Sequence, residues 1–172
     1  MSFVNYRNLF FHNAPRYFVR FSDTIPFFYS DKKGELKSSH IKMITIPDNC
    51  YTTMASVYNS SLFYIWFILV SNCRDLLLRD ISAYPVINFN IDTKIIHSLF
   101  RDYTEKSVRK TTFYASTGKV VYDEFYPKLS KPIIDEIDKV LAVHYGFTDE
   151  ELDFIINYDI KYRMGDELNS EE

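Results

Sequence analysis

Asn59-Ser60-Ser61-Leu62-Phe63-Tyr64-Ile65-Trp66-Phe67-Ile68-Leu69-Val70 decides how the rest of the chain folds. Three short polar side chains, of the kind that accept a hydrogen bond from the first turn of a helix, stand before nine apolar residues. That order favours a buried helix over the apolar run 62–70, although by length alone the run also fits a buried strand. It falls well short of the roughly 20 residues needed to span a bilayer, so it is core. Strand signals precede it and helical periodicity follows it. The expected class is therefore α+β, a mixed β-sheet body followed by a helical C-terminal appendage.

Upstream, Arg16 to Phe21 mixes aromatic, β-branched and basic residues as a strand does. Pro26 pushes the residue before it away from helix, so Phe27-Phe28-Tyr29 opens another extended piece. Asp31-Lys32-Lys33-Gly34-Glu35 reads as a turn at a loop tip, and Ile41 to Ile46 as a strand that ends at Pro47. Downstream of the apolar run, Leu76-Leu77-Leu78 and Asp80-Ile81 follow, and Pro85 closes the segment.

Asp92 then caps a helix whose Ile95, Ile96, Leu99, Phe100 and Tyr103 share one face. Gly118 marks a loop or loose hairpin within residues 113–126. Pro132 suits the first turn of a helix. Its apolar stripe runs through Ile133, Ile134, Ile137, Val140, Leu141 and His144 to a stop at Gly146. His144 reads as a satisfied, partly buried histidine. Thr148 and Glu151 form a capping box for a last helix with Leu152, Ile155, Ile156 and Ile160 on its stripe. The chain thus divides into a body at 1–90, a helical region at 91–165 and an acidic tail at 166–172.

Tyr, Phe and Trp make up 17% of the 172 residues, while Gly occurs only four times. So few glycines leave little for phosphate-cradling loops, which argues against most nucleotide-binding enzymes. The start lacks the basic and apolar stretches of a secretory signal, and Cys50 and Cys73 need not pair, so a cytoplasmic location with free thiols is expected. The net charge of −3 conceals an asymmetry. Residues 1–132 hold 17 Lys+Arg against 11 Asp+Glu, and residues 133–172 hold 3 against 12. A basic body with an acidic end suits nucleic-acid contact through the body, and it equally suits helices that are simply soluble.

Catalytic chemistry is hard to find. Base methylation needs a Gly-rich turn for S-adenosylmethionine and an Asn/Asp-Pro-Pro-aromatic loop for the flipped base. Asn13-Ala14-Pro15-Arg16 is the nearest approach and reads as a structural loop. No Cys or His pair has metal-ligand spacing. Glu35-Leu36-Lys37 behind Asp23 or Asp31 only loosely matches the acidic set of a metal-dependent nuclease.

Three stretches carry a resemblance. One runs from Asn59-Ser60-Ser61-Leu62-Phe63 through Ser71-Asn72-Cys73-Arg74-Asp75-Leu76 to Arg79-Asp80-Ile81 and Tyr84-Pro85-Val86. The second is Lys37-Ser38-Ser39-His40-Ile41-Lys42. The third runs from Lys131-Pro132-Ile133-Ile134 through His144-Tyr145-Gly146-Phe147-Thr148 to Asn157-Tyr158-Asp159-Ile160-Lys161-Tyr162-Arg163. Together they resemble the C-terminal target-recognition region of type II restriction-modification enzymes that methylate adenine at N6, in which the first stretch leads into a strand near Pro85-Val86. The resemblance implies sequence-specific binding of double-stranded DNA and a partner methyltransferase catalytic domain or subunit. It also implies S-adenosylmethionine as that parent's cofactor, with none held by this chain.

In such a reading, lysines and arginines of the body meet phosphates, and side chains near turns reach base edges. The first candidates are Lys32, Lys33, Lys37, Ser38, Ser39, His40 and Lys42, which combine charge and hydrogen-bonding groups around a turn. Arg74 and Arg79 flank the leucine triplet and serve either DNA or a local ion pair with Asp75 or Asp80. Lys119 and Lys128 are weaker phosphate candidates, and Lys106, Arg109 and Lys110 read as the cationic end of a helix. The competing expectation is a protein-interaction module whose acidic helices bind a methyltransferase or restriction subunit.

Overall fold

The computed structural model describes residues 4–85 and 90–165. Strand β1 (Tyr6–His12) sends Leu9 and Phe11 into the core, and by alternation Asn8, Phe10 and His12 face the opposite side. The two-residue β2 (Phe21–Ser22) lies along one edge of β1. Strands β3 (Phe28–Ser30) and β4 (Gly34–Glu35) flank the expected turn, with Gly34 at φ 72°. Strand β5 (Ile41–Pro47) pairs with the whole of β1, from Tyr6↔Pro47 to His12↔Ile41, giving an antiparallel sheet of order β2-β1-β5.

After Pro47 a 3₁₀ turn, Asp48–Cys50, leads into α1 (Tyr51–Tyr58). Helix α2 (Ser61–Val70) begins at the polar triplet, where Ser60 Oγ accepts the Phe63 amide at 3.0 Å. Helix α3 (Leu78–Ser82) is short, and α4 (Thr93–Glu105) is capped by Asp92. Strands β6 (Val108–Tyr114) and β7 (Gly118–Glu124) follow. Helix α5 (Lys131–Tyr145) stops at Gly146 (φ 72°), and α6 (Asp149–Asn157) opens with the Thr148–Glu151 capping box. Helix α7 (Ile160–Met164) is a last short turn. No single helix among the described residues is long and apolar enough to cross a membrane.

The class is α+β, with the strands divided between two small antiparallel sheets. In the second, of order β4-β3-β7-β6, β7 from the later part of the chain pairs with β3 from the earlier part through Tyr29↔Val121. One apolar cluster likewise draws on both parts, from Leu9, Phe11 and Phe21 to Ile134, Ile137 and Leu141. At its centre Phe21 stacks on Phe11 at 4.9 Å, and Phe63 meets Tyr58 and Tyr84 at 5.0 and 5.2 Å. Offset and edge contacts of this kind each add about 0.5–1.5 kcal/mol beyond the area they bury.

Four local expectations are corrected. Arg16 to Phe21 is not a strand until Phe21: Tyr17 takes φ 60° and the Phe18 amide turns back to the Arg16 carbonyl at 2.6 Å. The cause is distant, because Arg163 Nε donates to the Tyr17 carbonyl at 3.0 Å and its guanidinium lies 4.4 Å from the centre of the Phe18 ring. Of the loop and the loose hairpin expected within residues 113–126 the hairpin is found, but β6 and β7 make it regular and it starts earlier, at Val108. The mostly exposed side chains of β6 leave no alternating pattern to read. Consequently Arg109 and Lys110 lie on a strand, the helix having ended at Glu105. Ile160 belongs to α7 and not to the α6 stripe, because Asp159 at φ 53° breaks the helix between them. Asp80 and Ile81 lie on α3, and the expected strand at Val86 and the acidic tail at 166–172 fall outside the described residues.

The polar triplet joins the layers. Asn59 does not cap. Its Oδ1 accepts from the Phe21 amide at 3.0 Å and from the Tyr103 hydroxyl at 3.2 Å, tying β2 to α4, while its Nδ2 donates to the Ala55 carbonyl at 2.8 Å. Asp138 on α5 accepts from the Ser61 and Leu62 amides at 2.9 and 3.4 Å, at the positive end of α2. Arg163 Nη2 donates to Ser61 Oγ at 3.0 Å, which fastens α7 to the same junction.

Candidate nucleic-acid interface

The cations of this chain fall into two populations. Those on the helices and the β6–β7 hairpin are mostly neutralised close to home. Lys106 meets Asp102 at 2.8 Å, Arg101 meets Glu105 at 3.8 Å, Arg109 meets Asp123 at 2.8 Å, and Lys110 and Lys131 hold Glu124 and Asp135. Arg109 and Lys110 are further occupied by the Phe27 and Tyr126 rings. By contrast, among the described residues Arg16, Arg20, Lys32, Lys33, Lys37, Lys42 and Lys119 have no carboxylate within 4 Å, and neither do Lys94, Lys139 and Lys161 on the helices.

Two groups emerge from the first set. The β3–β4 and β6–β7 turns interlock: Lys32 Nζ donates to the Ser116 carbonyl at 2.6 Å, the Asp31 amide donates to the Lys119 carbonyl at 3.0 Å, and Ser30 Oγ donates to the Thr117 carbonyl at 3.1 Å. These bonds bring the exposed Lys32, Lys33 and Lys119 to one end of the second sheet, with Asp31 among them. Lys119 thus joins lysines more than 80 residues away, a meeting that only the β3–β7 pairing produces.

The other group forms where β1 ends and β5 begins. Ser38 closes a turn, its carbonyl accepting from the Ile41 amide at 3.0 Å, and Ser39 and His40 sit exposed at its tip. The His40 ring stacks on His12 with centroids 5.4 Å apart, and its Nδ1 lies 3.3 Å from Asn13 Oδ1. The Leu76 amide donates to the Asn13 carbonyl at 2.7 Å, so the loop carrying Arg74 borders the same place. Lys42 is exposed on β5, an edge strand of the first sheet, and Lys37 is exposed just before the turn.

Arg74 and Arg79 are each held by the adjacent carboxylate, at 3.2 Å from Asp75 and 3.4 Å from Asp80. Both guanidinium groups are largely exposed; the Arg74–Asp75 surface pair is worth only about 0–1 kcal/mol, so a phosphate competes for Arg74 at little cost, whereas Asp80 is buried and loses a counter-charge if Arg79 leaves it. Lys128 Nζ lies against the Met164 carbonyl at 3.4 Å, which anchors α7.

His12 and Arg20 do not stand out in the sequence, and Asn13 and Arg16 stand out there only as part of a structural loop. His12 and His40 are far apart in the chain, and the β1–β5 register alone unites them. Burial holds the His12 imidazole below its ordinary value, His40 lowers it further, the Ala14 carbonyl raises it, and Arg20 and Arg16 push it down again. Burial also pushes the Arg20 guanidinium down to about 10.

Among the described residues no three His, Cys, Asp or Glu side chains gather as a metal ion requires. Elsewhere on the surface an apolar groove of about 380 Å³ runs between α2 and α6, lined by Leu62, Ile65, Phe147, Phe154 and Ile155, with Glu150 and Glu151 at its rim. Comparison with family models, with curated proteins and with solved structures finds no match for this chain.

Proposed function

We propose that this chain binds duplex DNA as the target-recognition part of an adenine-N6 methyltransferase of the restriction-modification type. Phosphates meet Lys32, Lys33, Lys37, Lys42 and Lys119, with Arg74 and Arg79 exchanging their carboxylates for DNA, and Ser38, Ser39 and His40 lie toward the bases. S-adenosylmethionine and the methyl transfer belong to a catalytic domain or subunit elsewhere, and no residue here is assigned to them. One observation carries the reading: cations within 16–42, joined by Lys119, lack carboxylate partners where most of those on the helices and hairpin have them. Cations gathered in excess of the carboxylates beside them repel, and a polyanion relieves that repulsion.

The test is the salt dependence of binding to a duplex of about 20 base pairs. Neutralising each phosphate contributes roughly −0.9 to the slope of log K against log salt. The triple variant K32A/K33A/K119A is therefore expected to flatten the slope by about 2–3 units. The variant K94A/K139A/K161A, which removes unpaired lysines from helices, is expected to leave it nearly unchanged. Equal flattening by both variants, or binding indifferent to salt, defeats the proposal.

A second reading is supported by the groove between α2 and α6, where Phe154 is 60% exposed on a helix whose first turn is acidic. It makes the chain a docking module for a methyltransferase or restriction subunit. In that case F154A weakens subunit binding while K32A/K33A/K119A does not.

A further inference from the structure

Among the described residues two arginines are buried, and they are treated differently. Arg163, 3% exposed, donates to two carbonyls and a hydroxyl, and Asp138, Asp135 and Asp159 all act on it. Arg20, 7% exposed, has one hydrogen bond, from Nη1 to Ser22 Oγ at 3.3 Å, and the Phe125 ring 3.9 Å below its guanidinium. No carboxylate acts on it, and among the described residues no protein acceptor takes its Nε or Nη2. An ion withdrawn from water without a counter-charge is costly, so such groups are ordinarily paired.

The neighbours of Arg20 deepen the imbalance. Extending the β1–β2 register by one residue sets Arg20 opposite His12. His12 carries His40 stacked against it, and the exposed Arg16 follows in the next loop. His12 Nδ1 is engaged with Ala14 at 3.1 Å, which leaves Nε2 as the ring nitrogen with no protein hydrogen-bond partner among the described residues. Tyr103 on α4, its hydroxyl bonded to Asn59, is the titratable group that acts on Arg20; the neighbouring loop bearing Leu76 carries Arg74 and Asp75, which neutralise one another at 3.2 Å, and β5 sets Ile41 opposite His12.

We propose that His12, His40, Arg16 and Arg20 form an oxyanion site that takes a phosphate group, the imidazoles and Arg16 touching its oxygens and Arg20 setting the field beneath. Resting on the DNA-binding reading, the occupant is a backbone phosphate, and the site makes DNA affinity depend on pH. An anion favours protonated imidazoles, and protonated imidazoles favour the anion in return. A rise of about one pH unit at one imidazole corresponds to about tenfold tighter binding of the protonated form.

The experiment follows the ring protons of all four histidines by NMR in the full chain, from pH 5 to 8. Three conditions are compared: chloride, inorganic phosphate at matched ionic strength, and a duplex of about 20 base pairs. The ring-proton signals of both His12 and His40 are expected to move on adding the duplex, with the His12 titration displaced upward by about one unit, while the signals of His97 and His144 stay put. H12Q and H40Q, which keep the side-chain shape without the charge, are each expected to lose five- to tenfold in duplex affinity at pH 6 and less than twofold at pH 8. If the duplex does not bind but inorganic phosphate moves both imidazoles, the oxyanion site stands with a free phosphate as its occupant and the DNA reading falls. Salt-dependent duplex binding with both imidazoles unmoved overturns the site and leaves the DNA reading intact. Immobile imidazoles under every condition overturn it as well.

Discussion

Replacing Asn59 with alanine isolates the contact on which the layering depends. The side chain serves three buried groups at once: the Phe21 amide, the Tyr103 hydroxyl and the Ala55 carbonyl. Truncation strands the two donors, since Phe21 is 0% and Tyr103 2% exposed. Each buried donor without an acceptor costs about 1–3 kcal/mol. Water entering the vacated space recovers part of that, so a loss of about 3 kcal/mol is expected for N59A. For a chain of this size, with a urea dependence of about 2 kcal/mol per molar, the unfolding midpoint falls by about 1.5 M. Y103F tests the attribution, because phenylalanine has no hydroxyl to strand. Y103F alone is expected to cost about 1 kcal/mol, and little or nothing in the N59A background, giving a coupling of about 1 kcal/mol. Full additivity of the two substitutions, or a loss below 1 kcal/mol for N59A, would refute the reasoning.

Two further outcomes follow from the same junction. R163M removes the donors to Tyr17 and Ser61 and the contacts with the Phe18 and Tyr64 rings while filling most of the space; about 2–4 kcal/mol should be lost, with amide exchange accelerated first around residues 16–18 and 159–164, and uniform acceleration across the whole chain would count against local anchoring. Burial lifts Asp138 to about 6 despite the Ser61 and Leu62 amides, so its contribution is fully present below pH 4 and is lost as pH rises through 6. The stability of the wild type relative to D138N should therefore grow by up to about 3 kcal/mol between pH 7 and pH 4, measured by urea unfolding, and a pH-independent difference would show that Asp138 stays ionised throughout.

The folding signals that were legible in the sequence are those written within a few residues. Ser60 before the apolar run, Asp92, the Thr148–Glu151 box and Gly146 each satisfy or terminate a helix end through bonds spanning two to five positions. Pro47 ends its strand because proline has no amide to donate, and Gly34 turns its hairpin because it lacks a side chain to clash at positive φ. The α+β class follows from these signals together with the apolar periodicities.

What only tertiary structure decided are the meetings between distant residues. Around Gly118 the sequence offers a loop or a loose hairpin, but the start of the hairpin at Val108 was not legible because its exposed strand has no apolar alternation, and β3 supplies the partner that completes its sheet. Residues 16–20 look like a strand, but Arg163 holds them in a turn, since a buried guanidinium must find acceptors and the Tyr17 carbonyl is one. The candidate site shows the same division. The run Lys32 to Lys42 stands out by composition, whereas the addition of Lys119, the stacking of His12 on His40 and the lack of a carboxylate beside Arg20 exist only once strands have paired. Local sequence fixes how each segment's backbone bonds are first satisfied. Which charges end up with partners is settled by the packing of segments far apart in the chain.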